Sequence, residues 1–430
     1  MDYNRIRVLM LGWEFPPILT GGLGPACYGL AKALANFVEL KIVLPKSDLN
    51  FKMKRVNLIG FNHFDFDPST GEMMVDDFRK FLAAEFIDEL NPEPAELRIP
   101  YKNYDVPGNE VKGLFNEPDS YGPHVMRKVQ AYAEMVDQLS EKIDFDVIHA
   151  HDWITYPAAV KLKQKTGKPL LVHVHSLETD RAHPEARNPV YHIEHQGMLN
   201  ADRVLPVSAY TKNTIIDHYG ISAEKIFPVY NAIEDNSIYR VERTDNEKWI
   251  LFLGRITRQK GPEFLLETMV KLCKKMPNAK FIIAGSGDKS DWLKEKVNEV
   301  GLNTNAEFTG FIKRDKISEL LASSDAYFMP SVSEPFGLSA LEAAQFNIPC
   351  VLSKQSGVSE VLFNVLKADC WDTNKFANYL YAVCNYSGLR ETMVKLTAND
   401  VKNISWDHSA REVLKSYKHL VTASAKEEAV

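Results

Sequence analysis

The sequence lacks several features that mark particular classes of protein. Its five cysteines form no CxxC pair and keep no zinc-finger spacing with histidine, so we expect reduced, mostly buried thiols. No run reaches the ~18 apolar residues needed to span a bilayer, and no charged leader with an apolar core follows Met1. A formal net charge of -6 gives no long-range attraction to nucleic acid. These absences favour a cytoplasmic protein without a transmembrane segment or a nucleic-acid partner.

What is present is the composition of an ordinary globular protein, 45% hydrophobic and 25% charged. One hydrophobic core organises ~100–200 residues, so a chain of 430 residues predicts two domains. A polar stretch over residues 234–248 separates two series of strand-like and helix-like segments. We therefore expect one domain over residues 1–235 with an insertion around 47–121, a second over 236–404, and a final helix over 405–422.

Short apolar runs alternate with segments whose apolar residues recur three and four positions apart. This alternation is typical of parallel strands joined by crossover helices, and it predicts an α/β protein. The expected strands are residues 6–11, 40–44, 147–150, 170–174 and 203–207 in the first half, and 249–253, 280–284, 326–329 and 349–352 in the second.

Glycine-bearing loops follow predicted strands, where α/β sheets bind their ligands. The loop containing Gly21 and Gly22 opens onto a helix whose amides would face a phosphate, and Gly285 begins a Gly-Ser-Gly loop in the second half. Neither loop completes GxGxxG or GxxxxGK[ST], which disfavours a dinucleotide or P-loop site. From spacing alone, each loop is either a phosphate site or a tight turn that binds nothing.

Two cations, Arg255 and Lys260, stand five residues apart directly after a predicted strand. Fixed cations at that edge would neutralise the charge that develops on a departing diphosphate. The alternative is a solvated basic loop.

Glu334 and Glu342 flank the start of a predicted helix. The amides of Phe336, Gly337 and Leu338 would be unpaired there and free to bind phosphate or sugar hydroxyls, and each carboxylate would accept hydrogen bonds from hydroxyl pairs. The alternative is a helix start that binds no ligand, in which Glu342 only complements the helix dipole and Glu334 is solvated. A glycosidase would use the two as acid and nucleophile, but this leaves the cations and glycine loops without a role.

Histidines and aspartates also occur in patterns that could hold a metal ion. The histidines show no HxxxH helix, so we expect no metal. Of the DxD-like pairs, one falls in the expected insertion and the other precedes a buried strand, so we expect both to be structural. The residues concerned are His149, His151, His173 and His175, and the pairs Asp65 with Asp67 and Asp144 with Asp146.

Several segments together resemble glycosyltransferase family 4 and its glycogen and starch synthase relatives, over most of the chain. The resemblance implies the GT-B fold, in which two Rossmann-like domains enclose a cleft. The segments are Trp13-Glu14-Phe15-Pro16-Pro17 with Gly21-Gly22-Leu23-Gly24, His149-Ala150-His151-Asp152-Trp153, Val172-His173-Val174-His175-Ser176, and residues 330–344 with their EX7E pattern.

The resemblance also implies a role for each matching residue. It places Gly21, Gly22 and Gly285 at the donor, and Arg255 and Lys260 on the donor's diphosphate. The donor's sugar would contact Glu334 and the amides of Phe336, Gly337 and Leu338, and its ribose would contact Glu342. His151 would lie beside the reacting carbon. Residues 356–358 would border the site, and the helix that begins at Trp406 would cross back onto the first domain.

The implied reaction is retaining, metal-independent transfer of a glucosyl unit from UDP- or ADP-glucose to the non-reducing end of an α-glucan, without a separate cofactor. One departure concerns the donor, because Leu19 stands where bacterial ADP-glucose synthases carry the lysine of KxGGL. This departure resembles family 4 enzymes that use UDP- or GDP-sugars. The alternatives are transfer to sucrose, trehalose, a lipid or a cell-envelope glycan, sugar-nucleotide epimerisation, and hydrolysis.

Overall fold

A computed structural model of the chain describes residues 5–19, 21–64, 115, 121–122, 124–234, 241, 243–312 and 314–427. In this part of the chain, two six-stranded sheets form, and all the strand pairs within them are parallel. The predicted α/β class with two Rossmann-like parallel sheets is therefore confirmed.

The first sheet has the strand order β3-β2-β1-β4-β5-β6. Its strands are β1 (Arg7–Leu11), β2 (Glu39–Leu44), β3 (Val56–Gly60), β4 (Val147–His151), β5 (Leu170–Val174) and β6 (Arg203–Pro206). The helices of this half are α1 (Leu23–Leu34), α2 (Val125–Ser140), α3 (Tyr156–Thr166), α4 (Glu178–Arg181), α5 (Pro189–Asn200) and α6 (Ala209–Tyr219).

The second sheet has the equivalent order β12-β11-β10-β7-β8-β9. Its strands are β7 (Lys248–Leu253), β8 (Ala279–Ala284), β9 (Ala306–Gly310), β10 (Ala326–Met329), β11 (Cys350–Ser353) and β12 (Leu366–Ala368). The helices that follow are α7 (Pro262–Lys275), α8 (Ser290–Glu299), α9 (Arg314–Ser323), α10 (Leu338–Gln345), α11 (Thr373–Asn385), α12 (Ser387–Lys402) and α13 (Trp406–Glu427).

The start of the expected insertion belongs to the first sheet. β3 lies within residues 47–121 and pairs in parallel with β2, so the prediction of an insertion is wrong at this strand. Polar residues surround this short apolar run, which is why the sequence pattern did not reveal it. Residues 65–114, including Asp65 and Asp67, lie outside the described residues.

Side chains of the first sheet alternate between two hydrophobic cores. Along β1, Leu9 and Leu11 pack toward α2 and α3, whereas Val8 and Met10 face the core that contains residues of α1 and α13. The last helix therefore returns to the first sheet. Its Trp406 lies so close to α1 that a Cβ on Gly29 would be 2.2 Å from the indole.

Two smaller predictions concern side chains in this framework. Arg7 pairs with Asp146 at 2.6 Å and with Asp144 at 3.4 Å, so this acidic pair is structural, as expected. All five cysteines are buried and free of disulfides, as expected. Among the described residues, no helix has both the length and the apolar character that crossing a membrane requires.

Candidate active site

The carboxyl edges of the two sheets face each other across a cleft. Ser208, which precedes α6, donates a hydrogen bond to the Pro335 carbonyl oxygen at 2.6 Å. A Cβ on Gly22 would lie 4.0 Å from Leu338 Cδ1. Gly22 caps α1 and Gly337 caps α10, so the amino-terminal ends of these two helices meet at the cleft. At each end the first amides have no carbonyl partner within their own helix and the helix dipole is positive, which suits an anion.

The glycine loop of the first domain is held by Glu14, whose Oε2 accepts a hydrogen bond from the Gly21 amide at 3.1 Å. Glu14 itself is buried, whereas Gly21 and Gly22 are exposed at the cleft. The loop therefore presents its backbone to the cleft.

The two predicted cations have different surroundings. The Lys260 ammonium contacts the buried Glu334 carboxylate, which also accepts a hydrogen bond from Ser331 Oγ at 3.3 Å. Arg255 is exposed. The alternative of a solvated basic loop therefore fits Arg255 but not Lys260. The Glu334 carboxylate, 74 residues away in the chain, positions Lys260 at the cleft.

Glu342 lies in the second turn of α10, half-buried, and its charge acts on the pKa of the buried Tyr327 hydroxyl. Burial is the first cause that raises this pKa, and the charges of Glu334 and Glu342 add to it. The predicted pair of glutamates, Glu334 and Glu342, therefore lies around the start of α10. The chain turns into this helix at Gly337, whose φ of 110° is a backbone conformation that favours glycine.

Glycines at the ends of strands of the second sheet bring backbone atoms together beside Lys260. We call the surface formed by Gly254, Gly285 and Gly310 the backbone floor. The Gly285 amide donates to the Gly310 carbonyl oxygen at 2.9 Å. A Cβ on Gly285 would lie only 1.9 Å from the Gly254 carbonyl oxygen, so no other residue fits there. Phe311, which follows this floor, is 82% exposed although it is apolar. Sequence patterns did not single out Phe311, because a lone aromatic residue after a short strand carries no motif.

Gly285→Ala is expected to damage both folding and ligand binding, because the carbonyl oxygen that meets the new Cβ belongs to a central strand end. Overpacking of this kind typically lowers the free energy of unfolding by ~1–3 kcal/mol. Chemical denaturation and nucleotide titration of the same preparation would measure both effects. Gly388→Ala is the control, because a Cβ there meets no atom of the described residues within 4 Å. Equal stability of the two variants would contradict this account of Gly285.

The predicted histidines lie on one face of β4 and β5. His149, His151 and His173 are at most 1% exposed, and the rings of His151 and His175 stack with centroids 5.2 Å apart. Burial lowers the pKa of all four imidazoles, so they are neutral at pH 7. The Nε2 atoms of His151 and His173 have no hydrogen-bond partner among the described residues, which marks them as candidates for contact with a ligand.

Asp152 follows His151 in a backbone conformation that is sparsely populated, with φ 59° and ψ 166°. Its Oδ1 accepts a hydrogen bond from the His175 amide at 2.7 Å, which holds the ends of β4 and β5 together. Burial raises the pKa of Asp152 to about 7. Strained backbone beside a buried carboxylate is typical of functional sites.

Several contacts across the cleft had no signal in the sequence. Tyr210 donates to Ser333 Oγ at 3.0 Å, and Ser333 in turn donates to the buried Asp180. Glu360 accepts hydrogen bonds from the amides of Ala209 and Tyr210, at 2.9 and 2.6 Å, and so caps α6 from the other sheet's side. These residues are far apart in the chain, so only the packing of the two halves reveals that they meet.

Two family models match the chain in succession. The model described as starch synthase catalytic domain matches residues 7–227, just over half of the chain. The model described as glycosyl transferases group 1 matches residues 234–381. The two matches correspond to the first and second sheets.

Individual proteins resemble the chain over nearly its whole length. An uncharacterized glycosyltransferase of Methanocaldococcus jannaschii is 28% identical over 96% of this chain and 98% of its own length. The glycogen synthase of Mycobacterium tuberculosis is 26% identical over 84% of this chain and 80% of its own length.

Two solved structures share the fold at low sequence identity. Sucrose-phosphate synthase from Thermosynechococcus elongatus has a TM-score of 0.70 and 18% identity, over 97% of this chain and 100% of that one. The catalytic domain of starch synthase IV from Arabidopsis thaliana, bound to ADP and acarbose, has a TM-score of 0.69 and 16% identity, over 97% and 100%.

Proposed function

The chain belongs to the starch synthase catalytic domain family, and on that premise we propose that it transfers a glucosyl unit from a nucleotide-diphosphate sugar to the non-reducing end of an α-glucan. The predicted family and its GT-B fold are confirmed, and glycosyltransferase activity follows from the family. The donor, the acceptor and the stereochemistry are the proposal.

One observation supports this proposal most strongly, namely that positive groups from both halves meet at one point of the cleft. The amino-terminal ends of α1 and α10 face each other there, and Lys260 lies beside α10 through its contact with Glu334. A diphosphate carries the charge that these groups would bind. The glycosidase alternative uses only the glutamates and leaves this arrangement without a ligand.

The sugar, ribose and base of the donor would contact the groups that neighbour the diphosphate site. Glu334 and the amides that begin α10 would bind the hydroxyls of the sugar, and Glu342 would accept hydrogen bonds from the ribose. The backbone floor at Gly285 offers a flat surface for the nucleotide, and the exposed ring of Phe311 at its rim would stack on the base.

The transfer that we propose retains the α configuration. The acceptor hydroxyl attacks the anomeric carbon on the face from which the diphosphate leaves, so that one C–O bond forms as the other breaks. The electron pair of the breaking bond goes to the diphosphate, which also accepts the proton of the hydroxyl. Arg255 and Lys260 would stabilise that charge, and His151 would contact the electron-poor sugar.

A panel of UDP-, ADP- and GDP-glucose, each with and without maltooligosaccharide, tests this function. We expect lengthening of the oligosaccharide, with an α linkage in the NMR spectrum of the first product. Conversion of the donor sugar without any acceptor would indicate an epimerase. Release of reducing sugar without nucleotide would indicate a hydrolase.

A second candidate function is transfer to a small acceptor such as sucrose, trehalose or a phosphorylated hexose. Leu19 replaces the lysine that ADP-glucose synthases carry in the glycine loop, and the solved sucrose-phosphate synthase shares the fold of this chain. The same panel with small acceptors in place of maltooligosaccharide distinguishes the two. Faster transfer to a small acceptor would replace the glucan proposal.

Transfer is expected to proceed without Mg²⁺ or Mn²⁺, because Arg255 and Lys260 supply the positive charge that such an ion would bring to the diphosphate. The initial rate in excess EDTA should therefore not rise when Mg²⁺ or Mn²⁺ is added beyond the chelator. A loss of turnover that added Mg²⁺ or Mn²⁺ restores would contradict this expectation.

A further inference from the structure

Cys27, His151 and His175 bring three metal-ligating atoms together at the carboxyl edge of the first sheet. Cys27 Sγ lies 3.4 Å from His151 Nδ1, and His151 Nδ1 lies 2.9 Å from His175 Nε2. All three atoms lie within 4.8 Å of one another. They belong to three separate segments, since Cys27 is in α1, His151 ends β4 and His175 follows β5. We call these three side chains the thiol–imidazole cluster.

One hydrogen bond at His151 Nδ1 joins only two of the three side chains. The Nδ1 atom of an imidazole carries either one proton or one in-plane lone pair. Both the Cys27 thiol and His175 Nε2 face that single position of His151. If one of them donates to Nδ1, the other has no acceptor there, and if Nδ1 carries the proton, only one can accept it. A cation bound by all three atoms removes this conflict.

The charges around the cluster also favour a cation. The carboxylates of Asp152 and Glu14 lie close enough to the Cys27 thiol to interact with it electrostatically. Both side chains are buried, at 7% and 4% exposure, so a cation beside them would be attracted with little screening by water.

Two of the three separations in the cluster fit a tetrahedral ion after small shifts, and the third, from Cys27 Sγ to His175 Nε2, is at most 4.8 Å. Zinc–sulfur bonds of ~2.3 Å and zinc–nitrogen bonds of ~2.0–2.1 Å place two nitrogens about 3.3 Å apart and sulfur about 3.6 Å from nitrogen. The observed separations of 2.9 and 3.4 Å are each within roughly half an ångström of those values.

We propose that Cys27 Sγ, His151 Nδ1 and His175 Nε2 bind a soft divalent cation of the zinc class. On binding, the thiol loses its proton to solvent, and the thiolate and the two nitrogens each donate an electron pair to the ion. The proton of His151 then resides on Nε2, the atom without a partner. His149 is excluded as a ligand, because its two nitrogens already face Tyr417 and His173.

Cobalt and zinc titrations of the full-length protein, freed of metal by dialysis against a chelator, test this site. We expect one Co²⁺ per chain, with the visible spectrum of tetrahedral cobalt and a near-ultraviolet band from thiolate-to-cobalt charge transfer. One equivalent of Zn²⁺ should displace the cobalt. Binding should release one proton, which calorimetry in two buffers of different ionisation enthalpy measures.

Two variants and a matched control identify the ligands. Cys27→Ser should abolish the charge-transfer band, and both Cys27→Ser and His175→Gln should lower zinc affinity at least ~10-fold. Cys350→Ser is the control, because Cys350 is an equally buried free thiol in the second sheet and should leave the spectrum unchanged. Circular dichroism verifies that each variant is folded.

Two results would overturn the proposal. One is the lack of stoichiometric cobalt or zinc binding by the parent protein. The other is equal binding by folded Cys27→Ser and Cys350→Ser. Neither readout involves sugar transfer, so a failure here leaves the proposed function untouched, and a failure of the transfer assay leaves the metal proposal untouched.

Discussion

His151→Ala is expected to lower turnover ~10²–10³-fold while nucleotide affinity stays within about tenfold of the parent value. The proposed role of His151 is contact with the sugar as it becomes electron-poor, and its Nε2 has no partner within the described structure. The nucleotide would bind on the opposite sheet, at Lys260 and the Gly285 floor. A group that acts mainly in the transition state changes the turnover number more than it changes ground-state binding.

His149→Ala is the matched control for this prediction. His149 and His151 lie two residues apart on β4, both have 0% exposure, and both substitutions leave a buried cavity of one imidazole. Both variants should therefore lose stability, but only His151→Ala should lose turnover per folded molecule. Steady-state kinetics with calorimetric titration of UDP or ADP separates the two effects. If His151→Ala turns over at the parent rate, the role assigned to His151 is wrong.

Removal of the cations is expected to affect binding and turnover together. Arg255→Ala and Lys260→Ala should each lower turnover ~10²–10³-fold and weaken the binding of the free nucleoside diphosphate as well. These cations would contact a group that is charged in both the ground and the transition state. The measurements are kcat, the donor KM, and the Kd of the nucleoside diphosphate without sugar.

Lys260→Ala also leaves the buried Glu334 carboxylate without its cation, which costs stability in addition to binding. The double variant Lys260→Ala with Glu334→Gln removes this unpaired charge and should recover stability without recovering turnover. Arg258→Ala is the control, because Arg258 is an exposed cation of the same loop that donates to the Ala182 carbonyl oxygen instead. Equal loss of diphosphate affinity in all three single variants would indicate a general charge effect rather than the proposed site.

Local patterns were sufficient for much of the fold. The strands at residues 170–174 and 326–329 have the bounds that periodicity predicts. β3, β9 and β12 were missed, because each is a short strand near or at a sheet edge whose apolar pattern is interrupted. Edge strands bury fewer side chains, so their sequences carry a weaker signal.

The sequence by itself determined the class of the fold, the family, and the residue types that line the cleft. These are properties of short segments: periodic apolar residues, glycines after strands, and motifs of contiguous residues such as Trp13-Glu14-Phe15-Pro16-Pro17. Each depends on interactions within a strand, a helix or a turn, and is therefore visible without knowing what packs against it.

Only the tertiary structure decided which of these residues meet. The contact of Lys260 with Glu334, the approach of Gly22 to Leu338, and the convergence of Cys27 with the strand-end histidines all join segments far apart in the chain. Strand order brings them together, since β4 lies between β1 and β5, and β10 lies beside β7. The spacing of residues along one chain does not specify the pairing of distant strands, because that pairing depends on how the buried faces of all the elements pack at once.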